Sequence, residues 1–470
     1  MPEYRAGAYV DSVPVKGARE MLHVVIQGKS GIVFVTPRMG GATLIQGGLG
    51  FAHDDVALNA KRGFTQALFD LSLDLDAQLR KDARKVGNPD DPEYDKLILE
   101  KLSLREAKSE LALDKLKQLG FGLRYQLNPE IFAAFRKSGF MQGLPAEEPA
   151  MTFDNYDQVP VLWDMMYDEK DAGEDTDWEH FWGFRVPITH WQMRPTNQFK
   201  IRLKRGLFSA MDETLSFAES EVGLLAQQLT GGLCHGRLCE EFKKRALNEL
   251  HNKGADSAEV EALEGDKLWF QSFIKKLTED LDDNDKIKRE TNRWKEKAIR
   301  AIFSDREFTY ELIHFACHCK PDQVSELLSQ LSIKIAGEEV SLTVALMSGG
   351  REAQPDQDGP FVFLNACGTG MQGNNAEPPG FPDNWIKNRG ALAVVATLCP
   401  IPDLFAHAFA RKFYNTLFKS IENPEEPVRE RYLSEALLET RRYFMTECRN
   451  PLGLAYVLYA VKDACIEPRI

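Results

Sequence analysis

The chain predicts an α/β fold: a mostly parallel sheet covered by helices on both faces, with a helical insertion and a small N-terminal region. Three observations carry this expectation. Two strings, Leu312 to Cys319 and Phe361 to Gly370, each read as a buried strand of β-branched and aromatic residues that ends in polar or Gly-rich sequence. A third, Ala391 to Leu398, follows them, and helical stretches from about Leu404 to Phe418 and from Val428 to Phe444 come after it. Strands buried on both sides read as continuous apolar runs, and their alternation with helices argues for a parallel sheet. At 470 residues and 43% hydrophobic content, the chain can bury one large core or two smaller ones.

From the start, Ala8 to Val13, His23 to Gln27 and Gly31 to Val35 read as short strands, followed by glycine-rich turns from Met39 to Gly50. That stretch has neither the strand-to-helix glycine spacing nor the lysine of a phosphate-cradling loop. From Phe64, the residues Ala67, Leu68, Leu71, Leu75 and Leu79 recur at helical spacing, and Leu97 to Leu116 continues as a charged amphipathic pattern. No internal repeat is evident before residue 150. The organisation expected is a strand-rich segment over 1–60, a helical region over 61–150 and a core over 151–470. The core carries a charged helical insertion at about 224–300.

In that insertion Trp269, Phe270, Phe273, Leu277 and Leu281 trace one apolar face, which is expected to pack on the flank of the sheet. Glu279, Asp280, Asp282, Asp283 and Asp285 lie among the charges opposite, read as a solvated surface, with a docking site as the alternative. The acidic stretch from Asp168 to Glu179 reads the same way. Gly368 to Asp383 holds four glycines and three prolines, so neither a continuing strand nor a helix is expected there. It is a loop, either passive or ordered by an activator or substrate.

Composition narrows the function. The formal charge of −13, with no basic stripe, argues against direct nucleic-acid binding. No stretch approaches the roughly 18 apolar residues of a membrane span, and the opening residues lack a signal-peptide layout, so a cytoplasmic protein is expected. Eight cysteines without a dense spacing pattern read as reduced thiols, most of them packing residues.

Chemistry in open parallel sheets collects beyond the carboxyl ends of strands, where His318 and Cys367 stand. They are 49 residues apart, the spacing at which a histidine precedes the nucleophile in caspase-type proteases. A free thiol is only a few per cent thiolate at neutral pH, and a neighbouring imidazole remedies that. His314, inside the strand, reads as a core histidine. Cys317, His318 and Cys319, or Cys234, His235 and Cys239, could evoke zinc. Neither cluster has a paired C-x-x-C spacing, and strand alternation turns His318 from its neighbours, so no metal and no cofactor are expected. Alternation also puts Asn365 on the face of Cys367, where its amide could line a substrate cleft.

Ala316-Cys317-His318-Cys319, Asn365-Ala366-Cys367-Gly368-Thr369-Gly370 and Val394-Val395-Ala396-Thr397-Leu398-Cys399-Pro400, running on to Asp403, together resemble the CHAT domains, caspase-like peptidases related to separase. Val159 to Met166 is similar to an early segment of that family, and Pro451 to Ala460 to its last strand. The resemblance covers roughly residues 105 to 470 and implies a caspase-like fold and a regulated cysteine endopeptidase with a His318–Cys367 dyad. It further implies an oxyanion hole made by the backbone N–H groups of Cys319 and Cys367. Cys319 replaces the family's usual glycine, so strain is expected if that position needs positive φ. The resemblance implies a pocket acid at Asp403 and cleavage after Arg or Lys; the alternative is that Asp403 caps the following helix. Arg351 would then suit self-cleavage, whereas Gly368 to Asp383 contains no basic residue.

Such domains imply a protein substrate or an activator, such as a gasdermin or a CRISPR-type complex, in bacterial antiphage immunity or programmed death. Two other classes compete: a catalytically silent scaffold, consistent with Cys319 and with Cys399 in place of tryptophan, and a glutamine amidotransferase. The last ranks lowest, because its nucleophile elbow has glycine where Asn365 stands and its histidine follows the cysteine.

Overall fold

The computed structural model describes residues 21–27, 32–37, 54–82, 93–126, 150–155, 161–168, 178–191, 199–203, 206–210, 235–266, 268–304, 311–320, 329–335, 338–348, 359–366, 380–422, 431–461 and 464–467. A nine-stranded sheet organises them. Its strands are β1 (Met21–Gln27), β2 (Ile32–Pro37), β3 (Ala150–Asn155), β4 (Ile188–Trp191), β6 (Gly206–Ala210), β7 (Leu312–Ala316), β11 (Phe361–Asn365), β12 (Ala393–Thr397) and β14 (Tyr456–Ala460). They lie in the order β2-β1-β3-β4-β14-β12-β11-β7-β6. Twelve α-helices accompany the sheet among the described residues. All residues of β7, β11, β12 and β14 are buried, as their unbroken apolar runs require.

The sheet is mostly parallel, in two blocks. β1, β3, β4 and β14 run one way, and β12, β11, β7 and β6 run the other. The blocks meet where β12 pairs antiparallel with β14, and β2 adds an antiparallel edge. Chain connectivity explains the junction. The helix Phe381–Lys387 between β11 and β12 turns the chain once and delivers a parallel neighbour. Two helices, Asp403–Glu422 and Leu433–Cys448, separate β12 from β14 and return the chain reversed.

Several expectations shift. The stretch ending at Asp383 is not all loop, because Phe381–Lys387 is helical with Pro382 in its first turn. Proline is tolerated there since its missing N–H has no intrahelical partner to lose, and buried Trp385 and Ile386 anchor the turn. The stretch from Leu97 to Leu116 divides into Tyr94–Leu102 and Glu106–Gln126, and the last long helix begins at Leu433. Ala8 to Val13 and Met39 to Gly50 lie outside the described residues.

Among the described residues there are two smaller sheets. One joins β8 (His318–Lys320), β9 (Gln330–Ile335) and β10 (Glu338–Thr343) in the order β10-β9-β8, and the other joins β5 (Lys200–Ile201), β13 (Arg431–Tyr432) and β15 (Cys465–Ile466). Among the described residues between β6 and β7, four helices form the charged insertion: His235–Asn252, Ser257–Gly265, Trp269–Thr278 and Asn284–Ser304. Trp269, Phe270, Phe273 and Leu277 are buried and Leu281 is half-buried. Phe273 stands edge-on to Trp294 at 4.8 Å, and both belong to the same buried apolar cluster as the strands of the large sheet. The insertion reaches the small sheet through the Lys295–Glu338 ion pair at 2.7 Å. The acidic residues from Glu279 to Asp285 are exposed, as a solvated face should be. No helix among the described residues is long and apolar enough to cross a membrane.

Candidate active site

The site is built on three neighbouring strand ends. β7 and β11 are in register from Leu312–Phe361 to Ala316–Asn365, and beyond Ala316 the Cys317 N–H still donates to Asn365 O at 3.4 Å. On the other side of β11, Thr397 Oγ1 donates to Ala366 O at 2.5 Å. Cys317, Ala366 and Thr397 are therefore tied together at one end of the parallel block, the carboxyl end where side chains can leave the sheet.

After Ala316 the chain departs. His318 is the first residue of β8, and the pairing passes to β9, with His318 opposite Ser332 and Cys319 opposite Leu331. Only the backbone of His318 is described, and Cys367, which directly follows Ala366, lies outside the described residues. Cys319 is half-buried in a strand, and Arg449 is the one described non-glycine residue with positive φ. The strain expected at Cys319 is therefore absent, because extended backbone accepts any L-residue.

Asn365 is 6% exposed and its amide is engaged inside the fold. Nδ2 donates to Ala406 O at 3.0 Å, and Oδ1 accepts from the Tyr456 hydroxyl at 2.8 Å. Tyr456 in turn stacks on Phe409 with ring centroids 3.8 Å apart. These bonds tie the end of β11 to the first turns of the Asp403–Glu422 helix and to the start of β14. Tyr456→Phe is expected to leave Asn365 Oδ1 buried without this donor and to cost about 1–3 kcal/mol in denaturant unfolding. An unchanged midpoint would show that the bond contributes nothing.

Asp403 is the first residue of that helix and is half-buried. A carboxylate in the first turn favours the positive end of the helix dipole. Ala406 O bonds the Asn365 amide, so the beginning of this helix stands against the strand end that leads to Cys367.

His314 is fully buried, with Nδ1 3.0 Å from the Tyr414 hydroxyl and its ring stacked on Phe363, which makes it a core residue. Cys317, Cys399, Cys448 and Cys465 are buried. Burial pushes the Cys448 thiol up to about 12, so it is not a thiolate at neutral pH.

The family model that matches this sequence is that of the CHAT domain, over residues 203–452, more than half of the chain. None of the curated proteins matches it. Among solved structures it is similar to the Arg-specific cysteine proteinase gingipain R (RgpB), at 10% identity and a TM-score of 0.38, covering 72% of this chain and 68% of that one. At that score the likeness carries no functional argument.

Proposed function

We propose, from the premise that the chain belongs to the CHAT domain family, that it is a cysteine endopeptidase with Cys367 as nucleophile and His318 as its acid–base partner. One observation supports this reading above the rest. Ala316 and Asn365 are opposite one another in adjacent parallel strands, and His318 and Cys367 each follow two residues later. Two chemically complementary residues thus each stand two positions along the chain from a pair that is in register.

The chemistry then follows from the residue types. His318 takes the thiol proton as Cys367 Sγ attacks the scissile carbonyl carbon, giving a tetrahedral oxyanion. The backbone N–H groups of Cys319 and Cys367 are the donors proposed for that oxygen. As the intermediate collapses, the C–N bond breaks and His318 protonates the leaving amine. Water, deprotonated by His318, attacks the thioester and releases the acid product and the free thiol.

Asp403, at the same end of the parallel block, is proposed to accept a basic side chain at the residue before the cut. Its position in the first helical turn serves the dipole equally, so the two roles need separating. A positional-scanning peptide library, with the chain alone and with its genomic-neighbour proteins, does this. Asp403→Asn is expected to lower kcat/KM about 10–100-fold for Arg and Lys substrates, the loss of one charge-assisted bond, and to leave other residues unaffected. A uniform fall for all substrates would assign Asp403 to the helix alone. Since Asn365 is already bonded internally, it is read here as a support of the strand end. The setting that goes with this proposal is a regulated cut in a protein partner, such as a gasdermin, under an activating protein or CRISPR-type complex in cytoplasmic antiphage defence.

A further inference from the structure

The peptide unit that precedes the proposed nucleophile is gripped by a side chain. β11 pairs with β7 on one side as far as Ala316–Asn365, and with β12 on the other as far as Leu364–Ala396. Beyond those limits its two neighbours are joined to it through consecutive carbonyls. Asn365 O accepts from the Cys317 N–H at 3.4 Å on the side of β7, and Ala366 O accepts from Thr397 Oγ1 at 2.5 Å on the side of β12. Successive carbonyls that face opposite neighbours are those of an extended chain. Both residues of the second bond are buried, Ala366 at 3% exposure and Thr397 at 0%.

The Ala366 carbonyl shares one rigid plane with the N–H of residue 367, and in a trans peptide the two point in opposite directions. A donor that holds the oxygen toward β12 therefore turns that N–H toward β7, the strand whose chain continues to Cys319. The N–H groups of residues 319 and 367 are the two donors proposed above for the oxyanion, and a hole shared between them requires that of residue 367 to face the β7 side. Threonine suits the task, because its branched Cβ restricts χ1 and so presets the direction of the hydroxyl.

We infer that Thr397 is a positioning residue for the oxyanion hole: its hydroxyl fixes the Ala366 carbonyl and thereby aims the N–H of the same peptide unit at the charge that develops in the tetrahedral intermediate. This role rests on the peptidase reading above. The hydroxyl is engaged by a backbone carbonyl, so its loss impairs stabilisation of the oxyanion and leaves thiolate formation intact.

Val has the shape of Thr without the hydroxyl, and Ser keeps the hydroxyl without the branch; Thr397→Ala serves where Val is not accommodated. Thr397→Val is expected to lower kcat about 10–100-fold with KM within about twofold, short of the loss of a whole oxyanion donor, and Thr397→Ser to stay within about threefold of the wild type. Two reagents separate aim from general damage. A peptide aldehyde with the best-cleaved library sequence takes the Cys367 thiolate at its carbonyl carbon and places a negative oxygen in the hole, whereas iodoacetamide loses iodide to the same sulfur and forms no oxyanion. The Val variant should bind the aldehyde about 10–100-fold more weakly and be alkylated at the wild-type rate. Folded Val and Ala variants with wild-type kcat and aldehyde affinity overturn the inference. An equal fall in aldehyde binding and alkylation also overturns it, and would make Thr397 a support of the fold alone. A wild type without Cys367-dependent cleavage removes the peptidase reading, and this role with it.

Discussion

Cys367→Ala is expected to abolish peptide-bond cleavage, a loss of about 10⁴-fold or more, and His318→Ala to reduce it by about 10²–10⁴-fold. The asymmetry has a chemical reason. Without Sγ there is no atom to form the acyl-enzyme, whereas without the imidazole a small thiolate fraction persists at neutral pH and water can still protonate the leaving amine slowly. The two substitutions act on one unit, so the double variant should be no worse than Cys367→Ala. Mass spectrometry after brief alkylation of the folded protein gives an independent reading. Four of the five described cysteines are buried, and Cys448 is held up at about 12. Cys367 should be labelled first, and His318→Ala should slow its labelling near neutral pH. Cleavage that survives Cys367→Ala would remove the peptidase assignment. No cleavage under any condition, with Cys367→Ala still effective in cells, would make the chain a scaffold that keeps only the fold.

The parts of this arrangement that are legible in the sequence are those encoded locally. β7, β11 and β12 each declare themselves by an apolar run, and His314 by its place within one. The Gln330–Thr343 hairpin escapes such a reading, although Leu331, Ile333 and Ile335 alternate and Val340 and Leu342 resume the period after Ala336-Gly337. Other features depend on partners far away. Alternation places Asn365 on the face of Cys367 but cannot show that its amide is engaged by Ala406 and Tyr456, 41 and 91 residues on. The antiparallel meeting of β12 and β14, and the union of β1 and β3 in one sheet with them, arise from long-range pairing that no local pattern specifies. Asp164 is a further case: one acidic residue in an apolar segment, whose role becomes evident only with Arg441.

Arg441→Met is expected to destabilise the fold by about 3–5 kcal/mol, because it would strand a carboxylate in the core. Asp164 and Arg441 are each 1% exposed and ion-paired at 2.7 Å. The other Asp164 oxygen lies 2.5 Å from His190 Nε2. The guanidinium also donates to Gly183 O at 3.1 Å and to Tyr456 O, so it joins the 163–165 turn, the helix Trp182–Arg185 and the start of β14. Lysine could not replace it, since a single ammonium lacks the planar fork that reaches three acceptors. Asp164→Leu combined with Arg441→Met should cost much less than the two single changes added together, since neither charge is then left alone.

The pair also sets an acid limit. Burial alone would push the Asp164 carboxyl up, but the charge of Arg441, then that of His190, outweighs it and holds the group at about 2 against an ordinary 3.8. A pKa depressed in the folded state contributes stability that is complete above the unfolded value and is lost as pH falls through the folded one. About 2 kcal/mol should therefore disappear between pH 4 and pH 2 in urea titrations of the wild type, and little of that loss should remain when Asp164→Leu and Arg441→Met are combined. An equal loss in both proteins would place the acid sensitivity elsewhere. The consequence reaches the chemistry as well. Arg441 holds the backbone of Tyr456, and the Tyr456 hydroxyl holds Asn365 two residues before Cys367. A loosened Arg441 therefore frees the strand end that precedes Cys367, and if Cys367 is the nucleophile proposed above, Arg441→Met should lower kcat even at temperatures where the variant remains folded.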